Sequence, residues 1–164
     1  MKIRSADLAD VAAISRIVTD AYAKYIERMG KAPGPMLDDY KIRVGMRSVW
    51  VAENGGELVG LIVLLPQKDH VLLDNVAVAP AHQRRGVGHR LMSFAEEEVA
   101  RQGYGELRLY THETMTENIA MYSALGWQET GRGEQAGYRR VYLRKKPQAV
   151  CLAHDLQTEG RHPR

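Results

Sequence analysis

This 164-residue chain has a single cysteine, Cys151, and no apolar run near the ~20 residues that a membrane span needs. One cysteine excludes an internal disulfide framework and offers no metal-ligand spacing. His70, His82, His89 and His112 are scattered rather than spaced as ligands, so no metal is expected. The opening MKIRSADLAD has neither an apolar core nor a cleavage site and does not read as a secretory leader. No Gly-Lys-Ser/Thr occurs, which excludes a P-loop, and Leu91 stands where a dinucleotide fingerprint needs its third glycine. Charge of one sign is scarce too. The net charge is +3, and Arg144 to Arg164 supplies it, with five Arg/Lys against Asp155 and Glu159. A neutral remainder lacks the basic face that nucleic-acid binding requires. The expectation is a cytoplasmic protein of a reducing compartment, with no membrane or nucleic-acid partner.

What is present reads as one domain over 1–146, followed by an aperiodic tail over 147–164 that is either disordered or packed locally. Lys2 to Arg4 is a short extended start, and Asp7 is an N-cap with Asp10 in the first turn. Apolar residues at Leu8, Val11, Ile14, Val18, Ala21, Tyr22, Tyr25 and Ile26 predict an amphipathic helix ending near Gly30. A Pro/Gly loop at 31–35 follows, then a second short helix over Met36 to Arg47. Val49–Ala52, Leu58–Leu65 and His70–Ala79 predict a three-strand antiparallel meander, turned first at Asn54-Gly55-Gly56. A helix carrying Val87, Leu91, Phe94, Ala95 and Val99 stops at Gly103, and Glu106–Thr111 alternates as a strand parallel to the one before that helix. Thr114 and Glu117 match a capping box for a helix to Leu125. Trp127–Thr130 and Tyr138–Leu143 close the sheet around a loop at 131–137, and leave an exposed edge on which a homodimer could pair. The class is α+β: one mixed sheet with helices on both faces.

The stretch LLDNVAVAPAHQRRGVG, Leu72 to Gly88, carries the chemistry. An apolar strand runs into a turn, then into Gln83-Arg84-Arg85-Gly86-Val87-Gly88 at a helix start. Free backbone N–H groups and the positive end of the helix dipole can hold an anion there, glycine lets a phosphate reach the backbone, and Arg84 and Arg85 add charge. By itself a G-x-G can be a turn with no ligand. The loop resembles the acetyl-CoA loop of the GNAT acyltransferase superfamily, Q/R-x-x-G-x-G/A. A second segment, Glu117 to Trp127, resembles that superfamily's helix after the fifth strand, as a close variant of N-x-x-A-x-x-x-Y-x-x-x-G-F/W through Asn118, Ala120, Tyr122, Gly126 and Trp127. Asn118 and Tyr122 lie four apart, on one face of the helix. The two segments stand in the family's order, and the resemblance spans Lys2 to Lys146.

That resemblance implies a β-α-α-β-β-β-α-β-α-β-β fold with splayed fourth and fifth strands. It implies an N-acetyltransferase moving the acetyl group of acetyl-CoA to a primary amine by direct attack in a ternary complex. The backbone of Val76, Ala77 and Val78 is then expected to pair with the pantetheine arm, one amide (Val76) polarising the acetyl carbonyl. The amides of Arg84 to His89, spanning Arg85, Gly86, Val87 and Gly88, are expected to hold the pyrophosphate, with Gln83 opening the motif. Asn118 orients the pantetheine amides or a water. Tyr122 is the candidate acid for the departing thiolate; a half-buried packing tyrosine is the alternative. For the base, Asp74 comes first, read by the period of two as sharing a face with Val76 and Val78. Some members of the family carry a glutamate base where this chain has Leu72, His112 and Glu113 are alternatives, and Asp74 could equally be a strand-end carboxylate. Tyr22, Tyr25, Met36, Asp74 and His112 are the candidate acceptor-site residues, for a small-molecule or peptide amine. The reading from another class is a non-catalytic module that binds and senses acyl-CoA.

Overall fold

The structure, a computed structural model, describes residues 1–148; the rest of the predicted tail, with Cys151, lies outside the described residues. Seven strands form one mixed sheet: β1 (Lys2–Ser5), β2 (Val49–Asn54), β3 (Glu57–Pro66), β4 (Val71–Val78), β5 (Leu107–His112), β6 (Gln128–Gln135) and β7 (Tyr138–Lys145), in the order β1-β2-β3-β4-β5-β7-β6. All neighbours are antiparallel except β4 and β5. Helices α1 (Val11–Met29) and α2 (Tyr40–Gly45) cover one face; α3 (Val87–Arg101) and α4 (Thr116–Ala124) cover the other. Among the described residues no helix is long and apolar enough to cross a membrane.

Each face has its own apolar cluster. Ile14, Val18, Tyr22 and Tyr25 of α1 pack on Val51, Leu61, Val63 and Ala77. Val87, Leu91, Ala95 and Val99 of α3 pack on Val59, Ile62, Leu73 and Leu107, with Tyr122 and Trp127 at the α4 end. Such burial contributes about 1.5–3 kcal/mol per large side chain, which ties both helix stripes to the sheet. The predicted N-cap is there: Asp7 accepts from the Ala9 N–H at 2.9 Å, Asp10 accepts from the Asp7 N–H at 2.9 Å, and a 3₁₀ turn (Leu8–Asp10) leads into α1. Arg4 grips Asp10 at 2.8 and 3.0 Å, fastening β1 to the start of α1.

Three local expectations change. The predicted helix over Met36 to Arg47 divides into a 3₁₀ turn (Gly34–Leu37) and α2, because Asp39 caps a new start by accepting from the Lys41 and Ile42 N–H groups. The Thr114/Glu117 capping box does not form: Met115 is the N-cap and no side chain caps it. Both box residues have better partners elsewhere, Thr114 the His112 ring at 2.8 Å and Glu117 the Arg28 guanidinium at 2.7 Å. The predicted loop at 131–137 is strand for most of its length, and β6 reaches Gln135 before a turn at Ala136 and Gly137, both with positive φ. Every residue of β6 is exposed, so Gly131 and Gly133 forfeit no core packing by lying in a strand.

The feature that makes a site is the divergence of β4 from β5. Only Val71–Leu107 and Leu72–Arg108 pair; beyond them the strands separate. The Ala79 N–H bonds the Val59 carbonyl, which fixes the ladder parity and turns Ala77 toward β3. The N–H and C=O of Val76 and Val78 therefore face the gap.

Candidate active site

Two cavities occupy this gap and share Tyr22, Val76 and Asn118 in their walls. The first, about 510 Å³, is lined by Val76 and Val78 of β4, by Gln83, Arg84, Gly86, Gly88 and His89 of the loop, and by Tyr25. The second, about 250 Å³, is lined by Asp74, Tyr110, His112, Tyr122 and Arg140.

The loop owes its shape to two left-handed residues, Arg84 (φ 62°) and Gly86 (φ 83°). Gly86 is the N-cap of α3 and no side chain caps that end, so the first amides of the helix keep their donors. Gln83 is anchored, its Nε2 donating to the Val78 carbonyl at 3.0 Å. Val87 is buried under the loop in the α3 cluster, and Arg85 does not line the cavity. The carbonyl of Val76 accepts from the Tyr22 hydroxyl at 3.1 Å, and that hydroxyl also reaches Asn75 Oδ1 at 2.6 Å. Asn75 donates to Tyr40, and Tyr40 donates to the Pro35 carbonyl at 2.6 Å. This chain of hydrogen bonds holds the gap side of β4 against α1 and α2. Both Val76 and Val78 thus have engaged carbonyls, while their N–H groups point into the first cavity.

Asp74 does not share a face with Val76 and Val78. The β3–β4 register slips between Val63 and Leu64, so Asp74 has no opposite residue. This bulge reverses the alternation: Val76 and Val78 pack on the α3 side, whereas Asp74 looks toward Arg43 of α2, 3.8 Å away, and toward Tyr110. Burial raises the Asp74 carboxyl above the ordinary range, an effect that Arg43 opposes. Burial raises the Tyr122 phenol well above its ordinary value, and its hydroxyl has no hydrogen-bond partner among the described residues. Burial lifts Tyr25 to about 12. Burial also lowers the His112 imidazole. Its Nδ1 accepts from the Thr114 N–H at 3.2 Å, and because an amide can only donate, the ring proton of neutral His112 sits on Nε2.

The structure brings Tyr122, Asp74, His112, Asn118 and Tyr22 around one opening. It leaves Met36 out of the wall: Met36 packs on the α1-side core, and its neighbours Pro35 and Leu37 border the cavity instead. Tyr25 lines the loop-side cavity rather than the one holding Asp74. Sequence reasoning missed Asn75, Tyr110 and Arg140. The alternation Tyr138, Arg140, Tyr142 on β7 was a usable signal for the last of these, since it puts all three on the face opposite buried Val141 and Leu143.

The model of the Acetyltransferase (GNAT) family matches residues 13–127. The rat protein N-acetyltransferase family 8 member 3 is 34% identical over 113 residues, covering 65% of this chain and 48% of its own. Probable N-acetyltransferase 14 of Xenopus tropicalis is 31% identical over 101 residues, 60% of this chain and 49% of its own. The chain thus spans about half the length of these relatives. PaiA N-acetyltransferase from Thermoplasma acidophilum, solved in complex with coenzyme A, superposes with a TM-score of 0.74 at 17% identity, covering 88% of this chain and 98% of that one. The ribosomal-protein-S18-alanine N-acetyltransferase of Escherichia coli gives 0.72 at 20% identity, over 93% and 97%. With seven strands in GNAT order, a splayed parallel pair and a family match over most of its length, this chain belongs to the GNAT acetyltransferase family.

Proposed function

We propose that this protein is an acetyl-CoA-dependent N-acetyltransferase that acts on a primary amine by direct transfer. The observation that carries the reading is the meeting of the two cavities at Tyr22, Val76 and Asn118. A thioester entering from the loop side and an amine entering from the Asp74 side come together there, which is the positioning a two-substrate transfer needs.

The residues divide the chemistry. Amides at the start of α3 and the charge of Arg84 receive the pyrophosphate. The free N–H groups of Val76 and Val78 take the amide-rich arm as an added strand takes its neighbour, and that of Val76 donates to the acyl oxygen as negative charge develops. Ala77, turned toward β3, contributes through its place in the ladder. Asp74, ionised and reached directly or through one water, accepts the proton of the attacking amine. His112 is the weaker base because its Nε2 already carries a proton and its Nδ1 is engaged; it serves as a donor to the acceptor. Tyr122 remains protonated throughout the neutral range and gives its proton to the leaving thiolate, while Asn118 orients the groups beside the sulfur.

The test is thermal stabilisation by coenzyme A and acetyl-CoA, followed by thiol release with an amine panel. A ligand at 100 times its dissociation constant adds about 2.7 kcal/mol, a readily measured shift. Stabilisation with turnover on an amine supports the reading; stabilisation with no turnover on any amine favours an acyl-CoA sensor; no stabilisation overturns both. Replacing Tyr122 with Phe is expected to lower kcat roughly 10²-fold without weakening acetyl-CoA binding. An unchanged kcat removes its role as acid.

A further inference from the structure

We infer that the acceptor is a small amine that also bears a carboxylate, an amino acid in the broad sense, and that Arg140 is the specificity-determining residue that holds this carboxylate. The inference rests on the second cavity being the acceptor site, as proposed above.

The two arginines that line that cavity are not equally engaged. Arg43 Nε lies 2.9 Å from Asp38 and its Nη2 lies 3.8 Å from Asp74, so Arg43 is committed to protein carboxylates. The Arg140 side chain has no ion pair or hydrogen bond among the described residues, and its Nε is buried without a partner. Buried donors are nearly always satisfied, and a buried unsatisfied donor in a guanidinium is an unusually costly one. Arg140 lines the second cavity, so a ligand there can supply the guanidinium with an acceptor that the protein does not.

The guanidinium is also held in place. Its central carbon lies 4.2 Å from the centre of the Tyr110 ring and 4.8 Å from that of Tyr138. Tyr138 is itself fixed, its hydroxyl donating to the Ala32 carbonyl at 2.8 Å and its ring set edge-on to His112. Contacts between guanidinium and ring use the faces of the ion and leave its N–H edge to a planar, two-oxygen acceptor. A carboxylate fits this edge better than a hydroxyl or a neutral amide, which offers one carbonyl oxygen and two unwanted hydrogens.

The second charge in the cavity completes the argument. Asp74 and Arg140 both line it and form no ion pair with each other, although Arg140 favours the charged form of Asp74 from a distance. An acceptor with an ammonium at one end and a carboxylate at the other complements this arrangement; a simple alkyl amine satisfies only Asp74. The volume of about 250 Å³ suits a small molecule. An internal peptide segment or a protein amine brings no carboxylate to this depth and leaves Arg140 unmet. A site built around a buried charged donor discriminates strongly against analogues lacking the partner.

The experiment compares matched pairs on the full-length protein. Glycine, alanine, leucine, phenylalanine and lysine are each presented as the free acid and as the primary carboxamide, and acetyl transfer is followed by thiol release. In parallel, calorimetry measures binding of the N-acetyl acids and N-acetyl amides to protein saturated with coenzyme A. The acids are expected to be preferred roughly 10- to 100-fold in kcat/KM and in binding, for at least one side chain. Arg140→Met is expected to abolish the preference by weakening the acid alone; Arg140→Lys is expected to keep part of it. Unchanged stabilisation by coenzyme A shows that each variant is folded. Equal use of acid and amide by the wild type overturns the inference, as does an equal loss on both in Arg140→Met, or failure of every acid to bind. Preferential binding of acids without transfer sustains the inference and defeats the transferase reading. Transfer to amides or plain amines at equal rates does the reverse.

Discussion

Gly86 and Gly88 stand two residues apart and answer to different constraints. Gly86 has φ 83° and open space where a Cβ would go, so its requirement is conformational. Gly86→Ala is expected to destabilise the protein by roughly 1–2 kcal/mol in chemical denaturation, the cost of a left-handed L-residue. Gly88 has ordinary helical geometry, and a Cβ there meets only Val78 Cγ2 at 3.8 Å. Gly88→Ala is expected to hold or slightly raise the denaturation midpoint, since alanine favours a helix over glycine, and to lower coenzyme A affinity alone. Equal destabilisation by both substitutions contradicts this assignment. Asp74 combines a functional and an energetic expectation. An acid whose folded pKa is raised above 3.8 is held more tightly as the protonated form by the folded state. Stability therefore falls as pH rises from the unfolded pKa through the folded one. Asp74→Asn is expected to raise Tm at pH 7, where the wild type must keep a buried charge, and to lower kcat. In the wild type, kcat/KM is expected to fall as pH drops through the raised Asp74 pKa, and this acidic limb is absent from Asp74→Asn. No limb from Tyr122 is expected near neutrality, because burial keeps its phenol protonated. At this scale the glycines, Asn118 and Tyr122 were legible, since a helix start and an i, i+4 offset are local facts. Met36 was not: whether it or Leu37 meets the cavity depends on where a 3₁₀ turn begins.

Helices and strands owe their boundaries to competition for hydrogen bonds. Asp10 is held in two directions, by the Asp7 N–H and by Arg4, whose hydrogen bond pulls its carboxyl below the usual range. A depressed folded pKa contributes stability above the unfolded value of 3.8 and loses it as pH falls. Asp10→Asn is expected to cost about 1–3 kcal/mol at pH 7 and to flatten the acid dependence, measured by denaturation at a series of pH values. The Thr114/Glu117 box shows the same competition with the opposite result, because Arg28 and His112 outbid the helix end. Sequence spacing lists the possible caps without ranking them against partners 89 residues away. Where β3 meets α3 the limit is steric. A Cβ on Gly60 meets Ala77 O at 3.0 Å, Leu91 Cδ1 at 3.1 Å and Val87 Cγ1 at 3.2 Å. Gly60→Ala is expected to destabilise by about 1–3 kcal/mol through overpacking and to loosen the start of α3, so that Tm and coenzyme A affinity fall together.

The whole molecule is two sheet segments joined along a short parallel seam. β1 to β4 with α1 and α2 form one flank; β5 to β7 form the other; two residue pairs hydrogen-bond across. Beyond the seam, Val76 and Val78 offer free amides while Ala77 is in the ladder with β3. In hydrogen exchange without ligand, Val76 and Val78 are expected to exchange much faster than Ala77, and coenzyme A is expected to protect them; equal protection of all three contradicts the gap geometry. The α+β class, the antiparallel meander, the glycine-bearing loop at the start of α3 and the order of the two motifs were all set by the sequence itself. Each depends on local backbone demands: left-handed glycine, unsatisfied amides at a helix start, and apolar periods of 3.6 and 2. Tertiary structure alone decided which way Asp74 faces, since one bulge residue reverses every side chain beyond it, and alternation in the sequence is blind to that insertion. It also decided the meeting of Arg140 with Tyr110 and of Tyr22 with Val76, because residues 30 and 54 positions apart come together only through strand order and helix packing.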